Sequence, residues 1–266
     1  MSDAPPSLEL LSWNVAGRTK LLPQQIAAVR RREADIVCLQ EIRASTVGTW
    51  AEALAADGLT EALDSSTFAS GRRLFNLTVS RWQLDELAPI GAPQPERVLS
   101  TLIDSPSGLI ELHNAHIPPA PSNGLVKAET CEALFAQLAR PSERHRILCG
   151  DLNTPRRETV HGEVETFASN HPGDEERWDA AERGLLLGLA DWGMRDVFRE
   201  LNGYDRDDVS WVMHTRARRK AAHRLDHVLA SSSLGVVHCD YEHGWREAGL
   251  SDHSAIEARF EPGGRG

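Results

Sequence analysis

The chain has 266 residues and only four cysteines, Cys38, Cys131, Cys149 and Cys239, and none of their spacings is the short one of a metal-binding motif. Cys38 and Cys149 sit inside apolar runs, where a thiol packs as a small hydrophobe, and this usage points to a reducing, cytoplasmic setting. No stretch approaches the length of a membrane span, and residues 1–7 lack a basic start followed by an apolar run, so neither membrane insertion nor secretion is expected. Basic charge is also scarce. Against 39 acids stand 29 lysines and arginines, a formal charge of −10, so no overall positive field awaits a nucleic acid and any polyanion must be held by a local patch or through a cation. No low-complexity linker divides the chain, and a hydrophobic content of 41% suits one domain over 1–266, with 1–7 and 261–266 as tails.

The residues able to do chemistry gather at the ends of apolar runs. Ile147-Leu148-Cys149-Gly150-Asp151-Leu152-Asn153 reads as a buried strand that stops at a glycine and then presents a carboxylate and a carboxamide. A strand period of two predicts that Asp151 and Asn153 project from one face. Asp can take a proton or orient water while the amide donates to an anionic oxygen, which suits a phosphate beside a metal, although the same pair also suits a simple turn. Residues 8–14 form a second such run, closing in Asn14 ahead of Gly17, and residues 36–41 a third, closing in Gln40 and Glu41. Residues 109–116 alternate and are stopped by Pro118 and Pro119, leaving a titratable His116 at the end. Residues 224–231 carry Asp226 near their start, and Asp252-His253 precede a last strand through Phe260. Singly, each has a bland reading as a solvated strand end or a structural histidine; six of them form a pattern.

Between these runs, residues 22–32, 49–57, 124–140 and 175–189 read as helices, 73–79 and 97–103 as strands, and 156–173 as a long irregular loop. A strand over 210–213 leads into Arg216, Arg218, Arg219 and Lys220, the densest basic cluster, which is either a solvated face or a phosphate-backbone contact. Trp211 is either core filling or a stacking wall for an extruded sugar or base.

The motifs Ser12-Trp13-Asn14-Val15, Cys38-Leu39-Gln40-Glu41, Asn114-Ala115-His116-Ile117-Pro118, Gly150-Asp151-Leu152-Asn153, Arg224-Leu225-Asp226-His227 and Ser251-Asp252-His253 follow one another in this order. In that arrangement, from Leu8 to Phe260, the chain resembles the endonuclease/exonuclease/phosphatase superfamily of metal-dependent phosphoesterases. The resemblance implies an α/β fold, a two-sheet β-sandwich flanked by helices in four αββα layers, DNase I-like, with the site where the strand ends meet. It implies Glu41 as principal metal ligand with Asp252 and Asn14 close to the same cation, and hard oxygen donors suit Mg²⁺ or Mn²⁺. Asp151 matches the residue that orients or deprotonates the attacking water, and Asn153 the amide on the phosphate. Asp226 and His253 match a pair in which the acid fixes the tautomer and supports a charged imidazole. Either Asp151 or His253 could be the base. His116 stands where the exonuclease III and apurinic/apyrimidinic endonuclease branch carries Tyr, and as a leaving-group acid it would titrate near neutral pH. Ala16 and Pro119 also depart from that branch, whereas Asp196-Val197-Phe198-Arg199 and Ser210-Trp211 follow its order.

The expectation is a monomeric, cytoplasmic, divalent-metal-dependent phosphodiesterase that hydrolyses DNA as an endonuclease or 3′-exonuclease, in DNA repair, without membrane contact. One alternative keeps the chemistry but moves it to RNA or a small phosphoester, as the acidic charge and His116 suggest. The other, an inactive nucleic-acid-binding module, is disfavoured because every expected position holds a competent residue type.

Overall fold

The computed structural model describes residues 7–69, 74–119, 124–214 and 220–262. From the N-terminus come β1 (Leu8–Asn14), α1 (Leu22–Arg30), β2 (Ile36–Arg43), α2 (Val47–Ala55), β3 (Glu61–Asp64) and β4 (Leu74–Ser80). Then follow β5 (Leu84–Glu86), β6 (Val98–Ser105), β7 (Gly108–His116), α3 (Val126–Leu138) and β8 (His145–Asp151). A short ribbon of β9 (Arg157–Glu158) and β10 (Val164–Glu165) precedes α4 (Glu175–Leu186), β11 (Met194–Asp196) and α5 (Val197–Asn202). A second ribbon, β12 (Trp211–His214) with β13 (Lys220–His223), leads into β14 (Asp226–Ser231), β15 (Leu234–Glu242), α6 (His243–Glu247) and β16 (Ala255–Pro262).

Two six-stranded sheets result, ordered β15-β16-β1-β2-β4-β3 and β11-β14-β8-β7-β6-β5. Each contains one parallel pair, β1 with β2 and β7 with β8, among antiparallel neighbours. A parallel pair needs a crossover, and α1 and α3 supply the two. The sheets face each other across a core built from Leu10, Ile36 and Cys38 on one side and Leu112, Ile147 and Val228 on the other. Trp50 and Leu54 of α2 and Val29 of α1 cover the outer face of the first sheet at Trp13, Val37 and Leu77. Leu134 of α3 with Trp178 and Leu185 of α4 cover the second at Ala115, Leu148 and Leu229. This is the four-layer αββα sandwich expected, and central strands covered on both faces are why their sequences are nearly continuous apolar runs.

Two polar motif residues serve the sandwich itself. Gln40 Nε2 donates to Asn114 Oδ1 at 2.8 Å, and Asn114 Nδ2 donates to the Leu77 carbonyl at 3.0 Å, so a buried amide network joins the sheets one residue before Glu41 and two before His116.

Differences from expectation lie at the periphery. The 175–189 helix ends at Leu186, and a 3₁₀ turn, Gly188–Trp192, takes over. Glu261, expected in a frayed tail, pairs with Gly235 because β15 adds an edge strand that the sequence does not announce; its half-exposed positions follow no clean period. Among the described residues no helix is long and apolar enough to cross a membrane.

Candidate active site

Strand register assembles the site. In the second sheet His116 of β7 lies opposite Asp151 of β8, and Asp226 of β14 lies opposite the same residue, so three distant segments end in one row. That row needs Gly150. It holds φ at +127°, and a Cβ there would lie 2.0 Å from the Ala115 carbonyl oxygen on β7. In the first sheet Leu39 pairs with Leu77 and Ile42 with Phe75, so Gln40 and Glu41 together oppose Asn76 in a bulge where Glu41 takes φ 57°. Bulges of this kind re-aim a side chain, and Glu41 turns out of the sheet toward His116. The loop carrying Asp252 and His253 is pinned to β1 by Trp13 Nε1 donating to the His253 carbonyl at 3.0 Å and by Ser251 Oγ donating to the Asn14 carbonyl at 2.6 Å.

Asp151 stands at the centre. Its Oδ2 accepts from Asn14 Nδ2 at 3.0 Å and lies 3.7 Å from both His116 Nε2 and His253 Nε2. Burial, with the nearby carboxylates of Asp226 and Glu41, pushes its pKa up to about 7 against the opposing pull of His253. His253 Nδ1 donates to Asp226 Oδ2 at 2.8 Å. Burial disfavours charge on that imidazole, but Asp226 and Asp151 override it and raise its pKa to about 10, so it is an imidazolium. His116 is the opposite case. Burial, Arg97 and His253 all lower its pKa well below the ordinary value, so the expected titration near neutral pH does not occur. Arg97 Nη1 lies 2.6 Å from Nδ1 and 3.1 Å from Nε2; a guanidinium only donates, and because Nε2 is the nitrogen with a carboxylate to donate to, the ring proton is assigned there and Nδ1 accepts. Nε2 faces Glu41 Oε1 at 3.3 Å.

Asp151 and Asn153 do reach the same cavity, but not through strand alternation. The strand ends at Asp151, Asn153 takes φ 52°, and its N–H donates to Asp151 Oδ1 at 3.0 Å, so the turn and the site are the same structure. The cavity, about 500 Å³, is lined by the polar groups Glu41, His116, Asp151, Asn153, Asp252 and His253 and by the apolar side chains Phe167, Trp211, Met213 and Leu225. Trp211 stacks against His223 at 6.0 Å and 11°, and His223 meets Phe167 edge-on at 5.5 Å. Trp211 Nε1 donates to Asp252 Oδ2 at 3.2 Å, which makes this side chain a wall of the site rather than core filling.

Asn14 and Asp226 are buried behind this surface and reach it through Asp151 and His253. Arg216, Arg218 and Arg219 lie outside the described residues, and of Lys220 only the backbone, paired with His214, is described. Arg97, Phe167 and His223 were not legible as site residues. His223 faces Trp211 across a hairpin whose second strand carried no motif, and Phe167 belongs to a loop without periodicity.

The donors suit a hard divalent cation. Asp151, Asp226 and His253 place ligand atoms within 4.8 Å of one another, and this buried group could hold a metal. Within it Asp226 Oδ1 is buried with no hydrogen-bond partner among the described residues. The imidazolium of His253 is a poor ligand, so the carboxylate oxygens are the donors such an ion would take, and a cation among them would offset the burial and the repulsion that raise Asp151.

The model of the endonuclease/exonuclease/phosphatase family matches residues 11–253. An exodeoxyribonuclease III from Haemophilus influenzae is 24% identical, with 96% of this chain and 100% of that protein covered. An AP endonuclease from Archaeoglobus fulgidus superposes with a TM-score of 0.70 at 19% identity, covering 95% of this chain and 99% of the other. The 3′ phosphatase NExo from Neisseria, solved with a product DNA hairpin, gives a TM-score of 0.67 at 19% identity over 96% and 99%.

Proposed function

Because the chain belongs to the endonuclease/exonuclease/phosphatase family, whose members are phosphoester hydrolases, we propose that it is a divalent-metal-dependent phosphodiesterase acting on DNA. The observation that carries this reading is that the strand-end row of His116, Asp151 and Asp226, with His253 bonded to Asp226, closes on one cavity that Glu41 and Asp252 also line. Glu41 and Asp252, which line the cavity with Asp151, would hold Mg²⁺ or Mn²⁺, with Asn14 supporting them from behind through its hydrogen bond to Asp151; the ion when bound polarises the phosphoryl group and stabilises developing negative charge. Asp151 orients the attacking water and takes its proton. His253 is already an imidazolium held by Asp226, so it acts as a charged donor to a phosphoryl oxygen and not as the base. Asn153 presents its amide to another oxygen, and neutral His116 offers its Nε2 proton as a hydrogen bond near the leaving oxygen. Trp211 and His223, with near-parallel rings, and Phe167 edge-on beside them form an aromatic lining suited to a sugar or an unstacked base. Arg216, Arg218, Arg219 and Lys220 are proposed to contact the DNA backbone. Four free, buried cysteines support a cytoplasmic setting, and we propose a single-domain monomer.

The formal charge of −10 favours a second reading in which the substrate is RNA or a smaller phosphoester. Duplex DNA with an abasic site, RNA and a generic small diester, each incubated with the protein and Mg²⁺ or Mn²⁺, separate the two. Hydrolysis of the DNA that is lost in Asp151→Ala, with the fold retained, is the expected result; full activity in purified Asp151→Ala would refute it.

A further inference from the structure

Lys127 on α3 and Glu182 on α4 are buried, with side chains 1% and 0% exposed, and take no part in the chemistry above. Lys127 Nζ lies 2.7 Å from Glu182 Oε1 and donates to the main-chain oxygen of Asn153 at 2.8 Å. The same ammonium sits 4.7 Å over the Phe167 ring. The other Glu182 oxygen accepts from Thr154 Oγ1 at 2.5 Å and from the Phe167 N–H at 3.2 Å. A single ion pair therefore ties the turn that carries the cavity's amide, and an aromatic residue of its lining, to the two helices behind them.

Stability is a poor reason for such a pair, because burying two charges gains little over well-packed apolar side chains. Position is a better one. Asn153 sits at φ 52°, a conformation that a non-glycine residue keeps only where its surroundings over-determine it, and its Nδ2 is aimed by donating to the Ile117 carbonyl at 2.9 Å. We propose that Lys127 and Glu182 are positioning residues, setting where the Asn153 amide and the Phe167 ring stand relative to Asp151 and so governing turnover and the fit of the group beside the phosphate. This rests on the phosphoesterase reading.

The test is Lys127→Met combined with Glu182→Leu, which removes both charges so that neither is left buried alone. On the substrate that the wild type hydrolyses, kcat should fall by about ten- to a hundredfold with the fold intact, and Lys127→Arg should restore part of it by keeping the charge. If the pair acts through Asn153, adding Asn153→Ala should lower kcat no further than Asn153→Ala alone; fully additive losses, or an unchanged kcat in the folded double variant, would overturn the proposal. Should the double variant fail to fold, Lys127→Gln with Glu182→Gln, which removes both charges but keeps hydrogen-bonding groups, carries the same cycle. If the wild type hydrolyses nothing in the panel, the phosphoesterase reading alone fails. Positioning is then read from the Asn153 side-chain amide in ¹⁵N NMR: displaced or broadened resonances support it, and unmoved ones refute it.

Discussion

Replacing Gly150 by alanine should damage both stability and turnover, although the change adds only one methyl group. The added Cβ would start 2.0 Å from the Ala115 carbonyl oxygen, so β7 and β8 must separate by about 1.5 Å to reach an ordinary contact. The backbone is strained as well, since φ of +127° is one that an L side chain rarely adopts, at about 1–3 kcal/mol. Strain and opened ladder together suggest a loss of roughly 3 kcal/mol, which for a chain of this length lowers Tm by roughly 6–12 °C. The same separation moves Asp151, the next residue, relative to His116 across the ladder. A displacement of about 1 Å at a reacting group corresponds to roughly a hundredfold in rate. Thermal unfolding followed by circular dichroism, with kcat/KM on the substrate found in the panel, measures both. An alanine variant with unchanged Tm and unchanged kcat/KM would show that β7 and β8 are not held in the register argued for.

Asp226→Asn removes the carboxylate that overrides burial at His253, so the imidazole pKa should drop from about 10 toward neutrality. We expect kcat to fall by about 10²- to 10⁴-fold and to decline further as pH rises through about 7, where the parent shows no such decline; a superimposable pH profile would contradict the charged-donor role. Glu158, gripped by Arg224 and Arg199 despite its burial, is held at about 2 instead of the ordinary 4.5. A depressed carboxyl contributes stability above its unfolded pKa and loses it on acidification, here about 3 kcal/mol lost as pH falls from about 4.5 to about 2. Glu158→Gln should therefore be less stable at neutral pH and flatter between those values in urea midpoints measured against pH. Neutralising Arg216, Arg218, Arg219 and Lys220 should flatten the salt dependence of DNA binding, and an unchanged slope would remove them from the interface.

Local physics made part of this protein legible in its sequence. Doubly covered strands are apolar along most of their length, so residues 8–13, 36–39 and 147–150 announce themselves, and the abrupt change to Asn14, Glu41 and Asp151 marks where apolar packing gives way to chemistry. Gly150 reads as a boundary, but only the approach of Ala115 explains why no other residue fits. Long-range register decided the rest. The placing of His116 and Asp226 on either side of Asp151 depends on which strands pair, and a shift of one residue would turn each side chain to the other face. Protonation was equally beyond reach: two histidines of the same site, His116 and His253, end with opposite charge states because burial, reinforced by the Arg97 guanidinium, keeps one neutral while Asp226 and Asp151 override burial at the other. The sequence by itself determined which residue types stand at the strand ends and that those ends belong to buried strands, because hydrophobic period and termination are local. The tertiary structure alone decided which ends meet, which nitrogen carries a proton, and that Lys127 and Glu182 stand behind Asn153, because those depend on groups brought together from opposite parts of the chain.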